Sequence, residues 1–166
     1  MIKTIIIISL FLLSISNLVA QNLPEFNDKP ALYNAKSKQI IELEKSQYNT
    51  IAKAKGLFSA EGGFFLNGAT SNIKTPKQDE LLFIVKVTPG TDPTSIFDLV
   101  QFEVRKNQRV FITTKAKATS TSTSFEKIGY EVKKIKEGFY YLIVNKLEKG
   151  EYFFGSNDFM FAFSVE

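Results

Sequence analysis

Phe159-Met160-Phe161-Ala162-Phe163-Ser164-Val165 is the stretch that decides the fold. Successive side chains of a strand point to opposite faces, so Phe159, Phe161, Phe163 and Val165 share one face and Met160, Ala162 and Ser164 the other. A row of three Phe on one face is the mark of a strand packed against another layer. Just upstream, Tyr152-Phe153-Phe154 is separated from it by Gly155-Ser156-Asn157-Asp158, a run of turn residues, which predicts a hairpin.

The same reading extends back along the chain. Tyr130 to Ile135 and Phe139 to Val144 flank Lys136-Glu137-Gly138 and form a second predicted hairpin. Val100 to Arg105 alternates, with Phe102 and Val104 on one side, and Lys106-Asn107-Gln108 turns it into Val110 to Thr113. Leu81 to Val87 is apolar on both faces, as a strand covered on two sides is, and Thr88-Pro89-Gly90 ends it. Gly62-Gly63 precedes Phe64-Phe65-Leu66, after which Asn67-Gly68 is a strong turn signal. Gln39 to Leu43 reads as a strand pairing with Ala31 to Asn34 across a turn at Ala35 to Lys38. Residues 37–55 also hold many helix formers, and their apolar spacing does not separate the two states; strand is the favoured reading. Lys115 to Ser124, dominated by Thr, Ser, Ala and Lys, reads as an exposed, mobile connection, with a polar edge strand as the alternative. Eight or nine short strands and no convincing helix predict an all-β, antiparallel β-sandwich, immunoglobulin-like or similar. A small β-barrel is the alternative, because periodicity does not distinguish them.

The first 20 residues read differently. Lys3 is followed by an apolar run from Ile5 to Ile15 interrupted only by Ser9 and Ser14, and Ala20 offers the small side chain a signal peptidase requires. The run is shorter than the roughly 20 residues that cross a bilayer. Residues 1–20 are therefore expected to be a cleaved signal peptide and 21–166 a single β-rich domain, secreted or periplasmic, with no membrane span after cleavage.

Composition narrows the chemistry. The chain has no Cys and no His. Disulfides, lipid attachment through Cys, thiol catalysis, Ser-His-Asp triads and ordinary structural zinc sites are therefore excluded. Stability must come from an apolar core, and 16 Phe supply large areas for it. The formal charge of +4 is mild, and only Arg105 and Arg109 are arginine, so the dense Arg-rich stripe of a nucleic-acid binder is missing.

Three groups of residues invite a functional reading. The acids are scattered, and no spacing singles out the carboxylate pair of a hydrolase. Asp79-Glu80 and Ser156-Asn157-Asp158 fall short of a calcium loop, so no metal or cofactor is expected. Lys133, Lys134 and Lys136, with Lys127, Lys146 and Lys149, form the densest positive region and read as a solvated face guarding a strand edge. Tyr130, Tyr140 and Tyr152 lie on neighbouring predicted hairpins and are candidate ligand-binding residues, because an exposed aromatic face stacks on sugar rings. Tyr140, Leu142 and Val144 oppose Phe139, Tyr141 and Ile143, which leaves one face available.

Leu147-Glu148-Lys149-Gly150-Glu151-Tyr152-Phe153-Phe154, followed by Phe161 to Glu166, resembles the ending of a group of small secreted bacterial β-sandwich proteins of uncharacterised function. In that group a Leu-x-x-Gly-Glu-Tyr turn leads into a terminal strand pair. Gly68-Ala69-Thr70-Ser71-Asn72-Ile73-Lys74, Phe83-Ile84-Val85-Lys86, and Asp92-Pro93 ahead of a short strand and Arg109 are similar to the same group. The Ala20-Gln21 junction resembles Gram-negative signal peptides. The resemblance implies a secreted sandwich and carries over no functional residue. The expectation is a non-enzymatic protein that binds a protein or glycan at the cell envelope or serves as a surface component. A carbohydrate-binding module is the first alternative and a carboxylate hydrolase the second.

Overall fold

The computed structural model describes residues 23–54, 59–117, 119–123, 125–156 and 159–166; the expected leader and its junction lie outside the described residues. In chain order the strands are β1 (Ala31–Asn34), β2 (Gln39–Glu42), β3 (Glu44–Ser46), β4 (Asn49–Ala54), β5 (Ser59–Asn67), β6 (Lys74–Thr75), β7 (Glu80–Lys86) and β8 (Asp98–Gln101). They continue as β9 (Glu103–Arg105), β10 (Gln108–Lys117), β11 (Ser120–Thr123), β12 (Glu131–Lys136), β13 (Phe139–Asn145), β14 (Gly150–Gly155) and β15 (Met160–Val165). A 3-10 turn at Pro93–Ser95 is capped by the Asp92 carboxylate, which accepts from the Thr94 amide.

These strands make three sheets. The first runs β12-β13-β7-β1-β2 and the middle one β3-β15-β14-β8, with β6 alongside β15; the outer one runs β11-β10-β5-β4, with β9 alongside β10. All pairings are antiparallel except β6 with β15. The alternation read in the last strand explains the layering. Phe161, Phe163 and Val165 join Phe83, Val85, Leu142 and Val144 of the first sheet in the main core. Met160 and Ala162 point the other way and, with Val100 and Phe153, meet Leu66, Phe64 and Phe111 of the outer sheet. The middle sheet is thus covered on both faces, and β15 is buried at every residue. Each large apolar side chain fully buried this way contributes about 1.5–3 kcal/mol.

Two chain segments cross from the middle sheet to the outer one. The first is β3 into β4. The second is β8 into β9, and it corrects the expectation of one continuous strand over residues 100–105. The chain leaves the middle sheet at Phe102, whose amide donates to the Glu151 carbonyl at 2.8 Å. Phe102 stays buried, but Val104 beyond the corner is 48% exposed, so the two do not share an environment. Such corners, with the short β6 and the Thr/Ser strand β11, account for the fifteen strands among the described residues where eight or nine were expected. Residues 37–54, the described part of that segment, hold strands and no helix, and β1 pairs with β2 from Ala31↔Glu42 to Asn34↔Gln39, as read. The Thr/Ser-rich stretch is a strand hairpin, β10 with β11, rather than a loose connection. Thr119, Ser120, Thr121 and Ser122 keep their side chains in water while the backbone pairs, which a strand permits and a hydrophobicity pattern does not reveal.

Candidate functional site

An aromatic-lined opening lies between the middle and outer sheets. Val100 of β8, Phe153 of β14 and Met160 of β15 line it from one layer, Phe64 of β5 and Phe111 of β10 from the other, and Tyr48 stands at the β3–β4 corner. Their volume is about 570 Å³. Ring edges meet ring faces: Tyr48 on Phe64 at 4.5 Å, and Phe111 on both Phe125 and Phe153 at 5.3 Å. Phe125 is 41% exposed and separates this cleft from a neighbouring hollow that shares Val100, Phe111 and Phe125. The mouth is polar. Lys127 Nζ pairs with Asp98 Oδ1 at 2.7 Å and also reaches over the Phe125 ring, and Thr94, Ser95 and Ser156 complete the rim.

None of the three tyrosines singled out in the sequence lines this cleft. Tyr152 is 2% exposed; its ring stacks on Phe163 at 5.7 Å and its hydroxyl donates to the Glu148 carbonyl at 2.9 Å. Tyr130 is half-buried against Phe154, and its hydroxyl donates to the Phe97 carbonyl at 2.7 Å. Burial, aided by the nearby charges of Asp98 and Asp92, pushes that phenol above its ordinary range. Tyr140 packs half-buried against the main core. The rings nearest to solvent in a shared hollow are instead Phe111 and Phe125. Phe125 had a legible signal, a lone large apolar residue directly after a Ser/Thr run, which no strand face accounts for. Of the lysines read as an edge guard, Lys133, Lys134 and Lys136 are on the edge strand β12, where Lys134 pairs with Glu137 at 2.6 Å, whereas Lys127, Lys146 and Lys149 lie outside it.

A second constellation is buried and polar. The chain leaves β5 at Gly68 (φ 87°) and crosses over β15 through Thr70 and Ser71 before entering β6. Arg109 of β10, with 2% of its side chain exposed, donates to both oxygens of Glu44 in β3, at 2.9 and 2.7 Å, and to the carbonyls of Gly68 and Asn67. The Glu151 carboxylate accepts from the Ser71 amide at 2.9 Å and the Ser164 hydroxyl at 2.7 Å, and the Thr70 and Ser164 hydroxyls share a hydrogen bond at 2.9 Å. Burial pushes the Glu44 carboxyl up, but hydrogen bonds from Arg109 and Ser71 and the Arg109 charge outweigh it, so the group stays below the usual carboxylate range. A carboxylate held ionised by a bidentate arginine is a poor proton donor. This network fastens the crossover loop to two sheets. Nearly all its members, Arg109, Glu151, Gly68, Thr70 and Ser71, belong to the segments on which the resemblance to small secreted proteins rests.

No known protein family, no curated protein and no solved structure matches this chain. Among the described residues no helix is long and apolar enough to cross a membrane.

Proposed function

We propose that the mature domain works by binding rather than by turnover, at the cell envelope after export through residues 1–20, and that the cleft under Phe125 is its binding site. The observation that carries this is the cleft itself. Its volume of about 570 Å³ falls in the ~300–1,000 Å³ range of small-ligand sites. Its walls are aromatic and its mouth holds an ion pair and hydroxyl-bearing residues. A saccharide ring suits such a site, because its C–H face rests on aromatic rings while its hydroxyls reach Asp98, Lys127 and Ser95. Hydrolysis of a glycan would need two carboxyl groups flanking the bond. Among the described residues the cleft is lined by one, Asp98, and it is already paired with Lys127. Glu44 and Glu151 are committed to the crossover loop.

A glycan array followed by calorimetry on the hits tests the reading with wild type, Phe125→Ala and Tyr140→Ala. Binding that weakens about tenfold, a loss of ~1.4 kcal/mol, in Phe125→Ala and persists in Tyr140→Ala is expected. A silent array, or binding indifferent to Phe125→Ala, removes the cleft from consideration. Release of reducing ends from a bound glycan by pure protein would remove the non-enzymatic part.

A further inference from the structure

The cleft does not end at Phe125. On the far side of that ring lies a second hollow of about 450 Å³, whose own lining includes Gln101, Ile112, Lys115, Glu126 and Ile128. The two hollows hold Val100, Phe111 and Phe125 in common. The run Phe125-Glu126-Lys127 divides between them: Lys127 lines the first, Glu126 the second and Phe125 both. This divider is fixed at several points. Ile128 bridges to Leu99 of β8, its amide donating to the Leu99 carbonyl at 2.8 Å. Lys127 is paired with Asp98, and the Phe111 ring meets the Phe125 ring at 5.3 Å. Phe125 is nevertheless exposed, so the divider reaches the surface as a ridge that a bound chain can cross.

We infer that the two hollows are neighbouring subsites of one extended site, and that its ligand is a linear, uncharged oligosaccharide lying across Phe125 with sugar units in both. The inference rests on the saccharide reading of the first cleft and adds the length and the charge of the ligand. Length follows from the shared walls. Each hollow has an apolar floor with a few polar groups beside it, the pattern of a small-ligand site. Phe153 and Met160 lie with Asp98, Lys127 and Ser95 in the first; Ile112 and Ile128 lie with Gln101, Lys115 and Glu126 in the second. What suits the first hollow to a sugar ring is thus repeated across the ridge. A glycosidic link delivers the second ring at high effective concentration, with much of the entropy of association already lost. Charge follows from the lining. Asp98 is paired with Lys127 and Glu103 with Arg105, and Glu126 and Lys115 add one charge of each sign. No surplus is left to neutralise an acidic or amino sugar, whose charge would lose water without gaining a partner. Hydroxyl groups, which both donate and accept, find both kinds of partner in each hollow.

Calorimetry on the full mature chain tests this with linear gluco-, manno- and xylo-oligosaccharides, each as a series from the single sugar to the hexamer, and with galacturonate oligomers as the acidic control. Affinity within a neutral series is expected to rise at least about tenfold over the first few units and then level off. Galacturonate chains are expected to bind at least about tenfold more weakly than neutral chains of equal length. Lys115 and Glu126 are exposed and line only the second hollow. Lys115→Ala and Glu126→Ala are therefore expected to weaken the longer chains about threefold to tenfold and to leave the single sugar unchanged. Affinity that is flat with length, or long chains indifferent to both substitutions, overturns the extended site and leaves the first cleft standing as a binding site. Preference for galacturonate overturns the uncharged ligand. No binding to any neutral series overturns the inference, and the saccharide reading falls with it only if the glycan array is silent too.

Discussion

The sandwich of the first and middle sheets and the outer sheet beside it are built from different materials. Between the first two sheets lie Phe83, Phe154, Phe161 and Phe163 with a surround of Leu and Val, all buried. Between the middle and outer sheets the buried set is smaller, and much of the rest of the attachment is polar: the Arg109–Glu44 pair and the crossover loop it holds. Apolar area makes the sandwich insensitive to any one contact of modest size. Directional bonds at a few points hold the outer sheet, and they leave room for an open cleft. The region suited to binding is the one held by fewer and more specific contacts.

Truncation at the centre of the sandwich breaks the comparison most strongly. Phe163 touches Phe83 at 4.9 Å, Tyr152 at 5.7 Å and Phe154 at 6.1 Å, so Phe163→Ala leaves a void that none of them closes without losing its own contacts. A loss of ~3–5 kcal/mol is expected, read as a lower urea midpoint with unchanged slope. An effect below ~1.5 kcal/mol would show that the first two sheets are not the main source of stability.

Arg109→Met comes next, at about 3 kcal/mol, because it removes the donor of four hydrogen bonds from a site where Glu44 is only 20% exposed. The pair also predicts a pH dependence. The folded value of Glu44 lies below its ordinary 4.5. Its stabilisation is therefore complete above the unfolded value and is lost as pH falls through the lower folded one. Urea midpoints measured between pH 7 and pH 2.5 should fall more steeply in wild type than in Glu44→Gln; parallel profiles would show that the pair does not couple the sheets. Gly63→Ala is expected to cost ~1–3 kcal/mol. A Cβ at Gly63 would clash with the Phe111 carbonyl oxygen, just before the bulge at Thr113. Hydrogen exchange should accelerate in β5 and β10 and stay slow in β7 and β13; uniform acceleration would mean that the outer sheet does not open independently.

The same division governs what could be read from the chain. Alternating Phe and Val in β15, the two-sided run of β7 and the hairpin of β12 with β13 are legible because burial imposes a period on apolar residues. The outer sheet left less of a trace: Phe64 to Leu66 and Val110 to Thr113 were legible, but β11 is Ser-Thr-Ser-Thr, with no apolar residue to mark a face. The corner at Phe102 was hidden because a strand that changes sheets keeps its alternation while its neighbours change. Tyr152 is buried and Tyr130 and Tyr140 half-buried, rather than forming an exposed face, for a related reason. A tyrosine at the margin of a core places its ring in the apolar layer and its hydroxyl on a nearby carbonyl, as Tyr130 and Tyr152 do with Phe97 and Glu148. Sequence registers the aromatic ring but not the carbonyl that occupies it.

The smallest effect on stability distinguishes the two regions most finely. Phe125 is 41% exposed and makes its ring contact with Phe111, edge to face at 79°. It precedes Lys127, whose ammonium lies 5.5 Å from its ring centre while pairing with Asp98. Removing a ring that water already half covers recovers some of the lost contact through solvation, so Phe125→Ala is expected to shift stability by less than ~1 kcal/mol. The same change widens the passage between the cleft and its neighbouring hollow and takes away the one ring both share with Phe111. A large loss of ligand affinity with an almost unmoved urea midpoint is the signature of a residue kept for binding. A midpoint that falls by 2 kcal/mol or more would instead make Phe125 a lid closing the core between the middle and outer sheets, and the cleft a gap in packing rather than a site.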